Sequence, residues 1–297
     1  MMALEALQRH FQIEQEKLWG SNAALAETPE GVVGYFARLR LHSHFQPLLN
    51  AATLLPQAHE ALLRPVDCDT REQLAPSAAF SCARTPQEAV YLDRLCRVVH
   101  AVNFVRQRPD EQLLFLNVSA RHLAAVAQEH GSAFERLLAL CGLQPQQVVL
   151  EILESSVDQL ALLQTAVQAY RKRGFRIAID DFGCQHSNFD RLWQLTPDLV
   201  KLDRHLIQQA DANPRARLIL PKLIEIIHDL GASVVCEGIE TEQQHQRCLS
   251  AGADLLQGFY YARPQPTLCR EGLARADRHV PDAVAGRPAA MASPHPA

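Results

Sequence analysis

Several features that define large classes of proteins are missing from this chain of 297 residues. No apolar run approaches the roughly 20 residues that cross a bilayer, and the opening MMALEALQRHFQIEQEKLWG lacks the basic-then-apolar order of a signal peptide. The formal net charge is −4 and only 6% of residues are aromatic, so a basic surface or a stacking platform for nucleic acid is not expected. We therefore predict a cytoplasmic protein that binds neither DNA nor membrane.

The short motifs of several enzyme classes are also missing. The chain contains no G-x-G-x-x-G or G-x-x-x-x-G-K-[ST] phosphate turn, no G-x-S-x-G nucleophile elbow and no H-E-x-x-H metal motif. Eight cysteines are present, but none forms a C-x-x-C pair, so we expect reduced thiols rather than a zinc site. Lysine is scarce, with four in all, so a lysine at the end of a strand is a candidate for function.

A regular alternation of short apolar runs and longer amphipathic stretches is what the chain does have. The amphipathic stretches include Pro86–Arg106, Ser156–Arg173, Arg215–Leu230 and Thr241–Ala251. Eight strands alternating with helices predict a (β/α)₈ barrel. An open, doubly wound sheet is the alternative, but it calls for a glycine-rich phosphate turn. The eight predicted strands are His44–Leu49, Ala58–Leu63, Leu113–Val118, Val148–Leu153, Phe175–Ile179, Leu199–Leu202, Ser233–Cys236 and Ala253–Leu256.

The ends of the chain differ in composition from the middle. Residues 1–41 are predicted to be a short helical lead-in, because Leu4, Leu7, Phe11 and Leu18 recur at near-helical spacing. This helix could dock on the barrel, pair with a second copy or receive a protein partner. Residues 42–270 would form the barrel. Residues 271–297 are rich in Pro, Ala and Gly, and are expected to hold the end of a helix and a disordered tail.

Polar residues recur at one end of the predicted strands. The carboxyl ends of parallel barrel strands meet on one face, so these side chains would share one cup. Singly, each has a plainer explanation as a helix cap or a solvated charge. Together, their oxygen donors suit two Mg²⁺ or Mn²⁺ ions, which are the usual apparatus for hydrolysis of a phosphate ester. The residues are Glu60, Asn117, Glu151, Asp180, Asp181, Lys201, Glu237 and Gln257.

These residues stand within motifs that resemble a known family. Phe45-Gln46-Pro47-Leu48 resembles its opening strand, and Glu60-Ala61-Leu62, continued to Arg64, matches its signature. On these grounds the chain resembles the EAL domain, the bacterial family of cyclic di-GMP phosphodiesterases. The other motifs, which follow in the family's order, are Asn117-Val118-Ser119, Glu151-Ile152-Leu153-Glu154, Asp180-Asp181-Phe182-Gly183, Lys201-Leu202-Asp203, Glu237-Gly238-Ile239-Glu240 and Gln257-Gly258-Phe259.

The resemblance implies a (β/α)₈-type barrel whose first strand is antiparallel to the rest. It implies a metal-dependent, cyclic-guanylate-specific phosphodiesterase that hydrolyses cyclic di-GMP to linear pGpG. Lys201 would contact the attacking water, Gln257 would support the site, and Gln46, Leu62 and Arg64 would contact the dinucleotide. One metal would be held by Glu60, Asn117, Glu151 and Asp180, and the second by Asp180, Asp181 and Glu237.

One loop departs from the family's usual sequence. Active members follow Asp-Asp-Phe-Gly with Thr-Gly-Tyr-Ser-Ser, whereas this chain has Cys184-Gln185-His186-Ser187-Asn188. The glutamate that anchors this loop in the family corresponds to Glu154, which is present. An alternative function is therefore a catalytically weak cyclic di-GMP receptor that signals through protein contacts. A protein-binding regulator that ignores the nucleotide is a third hypothesis, although such members lose the metal ligands.

Two further expectations follow from the proposed chemistry. Ca²⁺ should inhibit, because its looser coordination would misplace the attacking water. A homodimer is expected by analogy with the family.

Overall fold

A computed structural model describes residues 2–19, 24–107, 111–119, 122–123, 131–153, 160–184 and 189–272. Its strands are β1 (Leu25–Thr28), β2 (Gly31–Phe36), β3 (Leu39–Asn50), β4 (Pro56–Asp67), β5 (Leu113–Asn117), β6 (Val148–Leu153), β7 (Arg176–Phe182), β8 (Leu199–Leu202), β9 (Ser233–Cys236) and β10 (Leu255–Leu256). The helices within these residues are α1 (Met2–Trp19), α2 (Pro76–Ser81), α3 (Pro86–Arg106), α4 (Ser132–Cys141), α5 (Leu160–Lys172), α6 (Phe189–Leu195), α7 (Arg204–Ala212), α8 (Pro214–Asp229) and α9 (Glu242–Ala251). In this part of the chain no helix has both the length and the apolar character to cross a membrane.

Strands β3 to β10 form a closed barrel. From β4 to β10 each strand pairs in parallel with the next, and β3 closes the ring by pairing with both β4 and β10. Both pairings of β3 are antiparallel, as the family resemblance implies. The predicted barrel is therefore confirmed, and the closure excludes the open sheet. All eight predicted strands correspond to strands of the ring.

The lead-in begins with the predicted helix, and two strands that the sequence analysis did not predict follow it. Helix α1 ends at Trp19, and β1 and β2 then form an antiparallel hairpin that continues onto the first residues of β3. Gly31 has a φ of 123°, which favours glycine at this turn. The β-branched and aromatic residues that follow it, up to Phe36, suit a strand. The predicted boundaries at residues 41 and 270 remain predictions.

Helix α1 packs on the barrel rather than standing apart from it. Leu7 and Phe11 are buried, and the ring of Phe11 meets the ring of Tyr91 on α3 edge-to-face, with centroids 5.6 Å apart. Burial of two large apolar side chains gives this docking a favourable free energy. Of the three uses predicted for the helix, docking on the barrel is therefore the one observed. Residues 273–297, which hold most of the predicted tail, lie outside the described residues.

The barrel interior contains a small apolar cluster, separate from the large core between the sheet and its helices. Each of the eight ring strands contributes one side chain to this cluster, which we call the inner layer. Side chains of a strand alternate between its two faces, so the next inward position lies two residues further along each strand. The inner layer comprises Leu48, Ala58, Phe115, Val149, Ala178, Leu199, Val235 and Leu255.

Candidate active site

A second ring of inward side chains lies directly above the inner layer, and we call it the mouth layer. In each parallel strand it stands two residues after the inner-layer residue. In the antiparallel β3 it stands two residues before, because that strand enters the barrel from the opposite end. The alternation of the strands thus gathers eight predicted site residues at one end of the barrel. They are Gln46, Glu60, Asn117, Glu151, Asp180, Lys201, Glu237 and Gln257.

Lys201 is the centre of the mouth layer. Its side chain is 1% exposed, and its Nζ lies 2.6 Å from Glu237 Oε1, 3.1 Å from Asp180 Oδ1 and 3.4 Å from Glu60 Oε2. The same ammonium contacts Glu151 Oε1. One buried cation therefore joins carboxylates from four other strands or strand ends, which the sequence separates by up to 177 residues.

Amide side chains link these carboxylates into one network. Asn117 Nδ2 donates to Glu60 Oε1 at 3.3 Å and to Glu151 Oε2 at 3.1 Å. Gln257 Nε2 donates to Glu60 Oε2 at 2.8 Å and to Gln46 Oε1 at 3.2 Å. Because both amides donate through nitrogen, the side-chain oxygen of Asn117 is left as an acceptor or a metal ligand.

The mouth is strongly acidic even with Lys201 in place. Burial, followed by the charge of Glu60, raises the pKa of Glu151 well above its ordinary value. Burial also raises the pKa of Glu237 to about 8 and that of Asp181 to about 6. Burial opposes the charge of Lys201, but the surrounding carboxylates outweigh it and raise the pKa of the ammonium. The ammonium is therefore firmly held, and negative charge remains in excess around it.

An irregularity in β7 allows two adjacent carboxylates to serve the same site. In a regular strand Asp180 and Asp181 would point to opposite faces. The pairing of β7 with β8 shifts between Ile179 and Phe182, and Asp181 has a φ of 58°. Carboxylate oxygens of Asp180, Asp181 and Glu237 consequently lie within 4.8 Å of one another. This geometry lets both carboxylates face one position beside Glu237, and the predicted use of the adjacent pair as metal ligands remains a prediction.

The donor set fits divalent cations. Five carboxylates share the mouth with one ammonium, which leaves four negative charges in excess when all are ionised. Two divalent ions would balance this charge, and oxygen donors of this kind are those that Mg²⁺ and Mn²⁺ prefer. The residues that could hold such ions are Glu60, Asn117, Glu151, Asp180, Asp181 and Glu237.

The three residues predicted to contact the dinucleotide lie along one wall of the mouth. Leu62 and Arg64 follow Glu60 on the same face of β4, with Gln46 opposite Glu60 on β3. The strand pairing also places His44 opposite Leu62 and His42 opposite Arg64. No chemical motif assigns a role to these two histidines, but the register brings them to the same wall.

Sequence reasoning assigned no role to several residues at the rim. An open cavity of about 170 Å³ lies beside the mouth and is lined in part by Arg204, Glu240 and Phe259. The guanidinium of Arg263 lies 4.3 Å from the ring centre of Phe259, which is 47% exposed. Arg204, Glu240 and Phe259 each lie two or three residues beyond a predicted site residue. A search just past the strand ends could therefore have found them.

Two rim loops are tied to each other through the backbone. Ile239 N donates to Gln257 O at 3.1 Å, and Tyr260 N donates to Ile239 O at 3.0 Å. A Cβ on Gly258 would lie 2.0 Å from Ile239 O, so only glycine fits this approach. The contact fixes the loop after Glu237 relative to the loop that carries Gln257.

Two elements of the prediction cannot be placed in the structure. Glu154, the predicted loop anchor, lies outside the described residues, as do residues 185–188 of the departing loop. Cys184 is described, and its backbone N donates to Asp181 O at 3.3 Å. The roles of Glu154 and of the loop remain predictions.

The fold and the mouth layer together define an α/β barrel protein with a buried acidic site. Residues 34–264 match the family model described as EAL domain. The chain therefore belongs to the EAL domain family, as its motifs predicted.

Similar proteins agree with this family. The chain is 33% identical over 132 residues to the cyclic di-GMP phosphodiesterase RocR of Pseudomonas aeruginosa, covering 44% of this chain and 33% of RocR. It is 30% identical over 247 residues to the cyclic di-GMP phosphodiesterase NbdA of the same organism, covering 80% of this chain and 31% of NbdA. The chain thus spans about a third of the length of these curated relatives. A structure of Klebsiella pneumoniae BlrP1 with manganese and cyclic di-GMP superposes with a TM-score of 0.68 at 23% identity, over 82% of this chain and 58% of BlrP1.

Proposed function

We propose that this protein hydrolyses cyclic di-GMP to linear pGpG with two Mg²⁺ or Mn²⁺ ions, as part of bacterial signalling. The observation that carries the proposal is the mouth layer itself, in which four carboxylates contact Lys201 and Asn117 bonds to two of them, while Asp181 adds a fifth carboxylate beside Asp180 and Glu237. Two relatives named as cyclic di-GMP phosphodiesterases support the substrate.

The proposed ligands divide between two ions that share Asp180. When bound, such ions supply the Lewis-acid charge needed to hydrolyse a phosphate ester near neutral pH. The excess negative charge of the mouth supports a count of two. Glu60, Asn117, Glu151 and Asp180 would hold the first ion, and Asp180, Asp181 and Glu237 the second.

The remaining roles belong to groups that touch the substrate or the attacking water. Lys201 keeps its proton because carboxylates surround it, so its Nζ can donate to the water and hold it in line with the phosphorus. Arg64 offers a guanidinium to the dinucleotide from β4, and Leu62 offers apolar contact. Gln257 donates to Gln46 and to Glu60, so these two glutamines would hold the β3–β4 wall in a fixed position relative to the proposed metal ligand Glu60.

A turnover assay with a metal titration tests this proposal. We expect purified protein to convert cyclic di-GMP to pGpG with Mg²⁺ or Mn²⁺, and we expect excess Ca²⁺ to suppress the reaction. Chromatography of the products measures the rate. Absence of pGpG with both metals would reject the enzyme, and unchanged rates in excess Ca²⁺ would count against the two-ion site.

The departing loop supports a second candidate, a cyclic di-GMP receptor with weak turnover. Calorimetry of nucleotide binding separates the two functions, because a receptor would bind tightly and release almost no pGpG. Replacing residues 184–188 with Thr-Gly-Tyr-Ser-Ser should then raise the rate if the loop is the cause.

We propose a cytoplasmic homodimer, with the exposed side of α1 available to a protein partner. Light scattering on purified protein, with and without cyclic di-GMP, measures the oligomeric state, and a monomer under both conditions would reject the dimer.

A further inference from the structure

A buried cluster of charges lies beneath the strand that ends in Asn117. Asp93 and Arg97 stand one turn apart on α3 and are 2% and 1% exposed. Arg97 Nη2 donates to Asp93 Oδ2, and the guanidinium carbon of Arg97 lies 4.4 Å from the ring centre of Phe134. His122 completes the cluster, with Nδ1 3.3 Å from Asp93 Oδ2 and Nε2 3.3 Å from Arg97 Nη2.

The cluster binds the backbone that follows β5. Asp93 Oδ1 accepts from Ser119 N at 2.9 Å, and Ser119 Oγ accepts from His122 N at 3.1 Å. On the other side of this segment, Val118 N donates to Glu151 O at 2.9 Å. The backbone just after Asn117 is therefore held between the neighbouring strand and the buried carboxylate.

Stability alone is a weak explanation for this cluster. Removing two charges from water is costly, and well-packed apolar side chains of similar volume commonly stabilise a core as well as a buried ion pair does. Burial raises the pKa of Asp93, but Arg97, His122 and the Ser119 amide outweigh it and hold the carboxyl ionised. An ionised carboxylate is a stronger and more directional acceptor for an amide than a neutral group is. The cluster is therefore suited to holding the backbone amide of Ser119 in one position.

We propose that Asp93, oriented by Arg97 and His122, is a positioning residue that fixes the Ser119 amide and thereby aims the side-chain oxygen of Asn117 into the mouth. This inference rests on the proposed function, because Asn117 is there a metal ligand. Groups that orient a ligand from behind commonly change metal affinity by about tenfold or more when they are removed.

Two double variants isolate the hydrogen bond to Ser119. Asp93→Asn with Arg97→Leu removes both charges but keeps an oxygen that can accept from the amide. Asp93→Leu with Arg97→Leu removes the acceptor as well. Titration with Mn²⁺, followed by the electron paramagnetic resonance signal of the free ion, measures affinity without requiring turnover. We expect the Leu–Leu variant to bind Mn²⁺ about tenfold more weakly than the Asn–Leu variant.

A third substitution shows whether Asp93 acts through Asn117. In an Asn117→Ala background, the two double variants should bind Mn²⁺ equally, because the ligand to be aimed is gone. A merely structural role would weaken binding in both backgrounds. Thermal unfolding of each variant, without metal, checks that the compared proteins are folded at the assay temperature.

The outcomes are distinct from those of the turnover assay. Equal affinities of the two folded double variants would overturn the positioning role. If either double variant fails to fold, Asp93→Glu provides a substitute test. It keeps the negative charge beside Arg97 but displaces the oxygen that accepts from Ser119 N. An unchanged Mn²⁺ affinity of this variant would also overturn the positioning role. A wild-type protein that binds Mn²⁺ but releases no pGpG would reject the phosphodiesterase and leave the positioning role in place. A wild type that binds no Mn²⁺ would reject both.

Discussion

The inner layer and the mouth layer lie on the same strands and the same face, two residues apart, yet they have opposite chemistry. The inner layer is made of apolar side chains buried without charge. The mouth layer packs four carboxylates around one ammonium, an arrangement that burial and mutual repulsion oppose. The comparison indicates that one ring stabilises the barrel, while the next carries unfavourable electrostatics that the proposed cations would relieve. Four measurements test this division of roles.

The largest expected effect concerns the mouth layer alone. Glu60→Gln should lower cyclic di-GMP turnover by about a thousandfold or more, because it removes a proposed metal ligand and its charge. The metal-free protein should unfold at the same temperature or a higher one, since one of the crowded carboxylates is gone. Product chromatography and thermal unfolding measure the two effects. Glu225→Gln, on the exposed face of α8, is the matched control, and a large loss of stability in Glu60→Gln alone would break the division.

The next effect belongs to the inner layer. Leu48→Ala should lower the free energy of unfolding by about 3 kcal/mol, because it leaves a cavity inside the barrel. Denaturant unfolding measures this change. Turnover at a temperature where the variant is folded should fall far less than in Glu60→Gln. Leu218→Ala, at a side chain 69% exposed, should change stability by less than about 0.5 kcal/mol. A loss of turnover as large as that of Glu60→Gln would show that the layers are not separable.

Substitution of Lys201 tests whether the carboxylates of the mouth layer need a cation for stability in the metal-free protein. Lys201→Met should destabilise the metal-free protein at pH 8 by about 3 kcal/mol, because the carboxylates lose their shared partner. Added Mn²⁺ should raise the unfolding temperature of this variant by more than that of the wild type. The exposed Lys222→Met on α8 serves as the control. Equal unfolding temperatures of both variants and the wild type, without metal, would contradict the idea.

The smallest expected effect concerns His100 on α3, which belongs to neither layer and should make the stability of the protein sensitive to acid. Burial, and then the charge of Arg64, lower the pKa of His100 to about 3, while Ser43 Oγ lies 2.7 Å from its Nδ1. The unfolded chain then binds more protons than the folded one between about pH 3 and pH 6.5, so stability is full above that range and falls as the pH falls through it. At pH 5 this group should cost the wild type about 2 kcal/mol.

His100→Gln measures that contribution, since glutamine can still accept from Ser43 but does not titrate. Urea unfolding at pH 7 and pH 5 should show a smaller acid-induced loss in the variant, by about 2 kcal/mol. If the variant and the wild type lose the same free energy of unfolding between pH 7 and pH 5, other groups cause the acid sensitivity.

The barrel and most of its site were predictable from the sequence. Parallel strands covered by helices are short apolar runs, and here polar residues follow at the end of each run. The β1–β2 hairpin was not predictable from the same signal. It lies outside the ring, beside α1, and the Thr28–Gly31 break looks the same within a helical lead-in and between two strands. The position of Lys201 at the centre of the carboxylates depends on strand register, which distant pairing decides.

The two-residue spacing between the layers has a consequence for how such a barrel can change over evolution. Each polar group of the mouth is carried by its own strand and rests on an apolar neighbour that needs no alteration when the group above it is exchanged. In the proposed enzyme, a single substitution in the mouth layer would therefore remove turnover and leave a folded barrel with its β3–β4 wall unchanged. A receptor without turnover would then be one substitution away from such an enzyme.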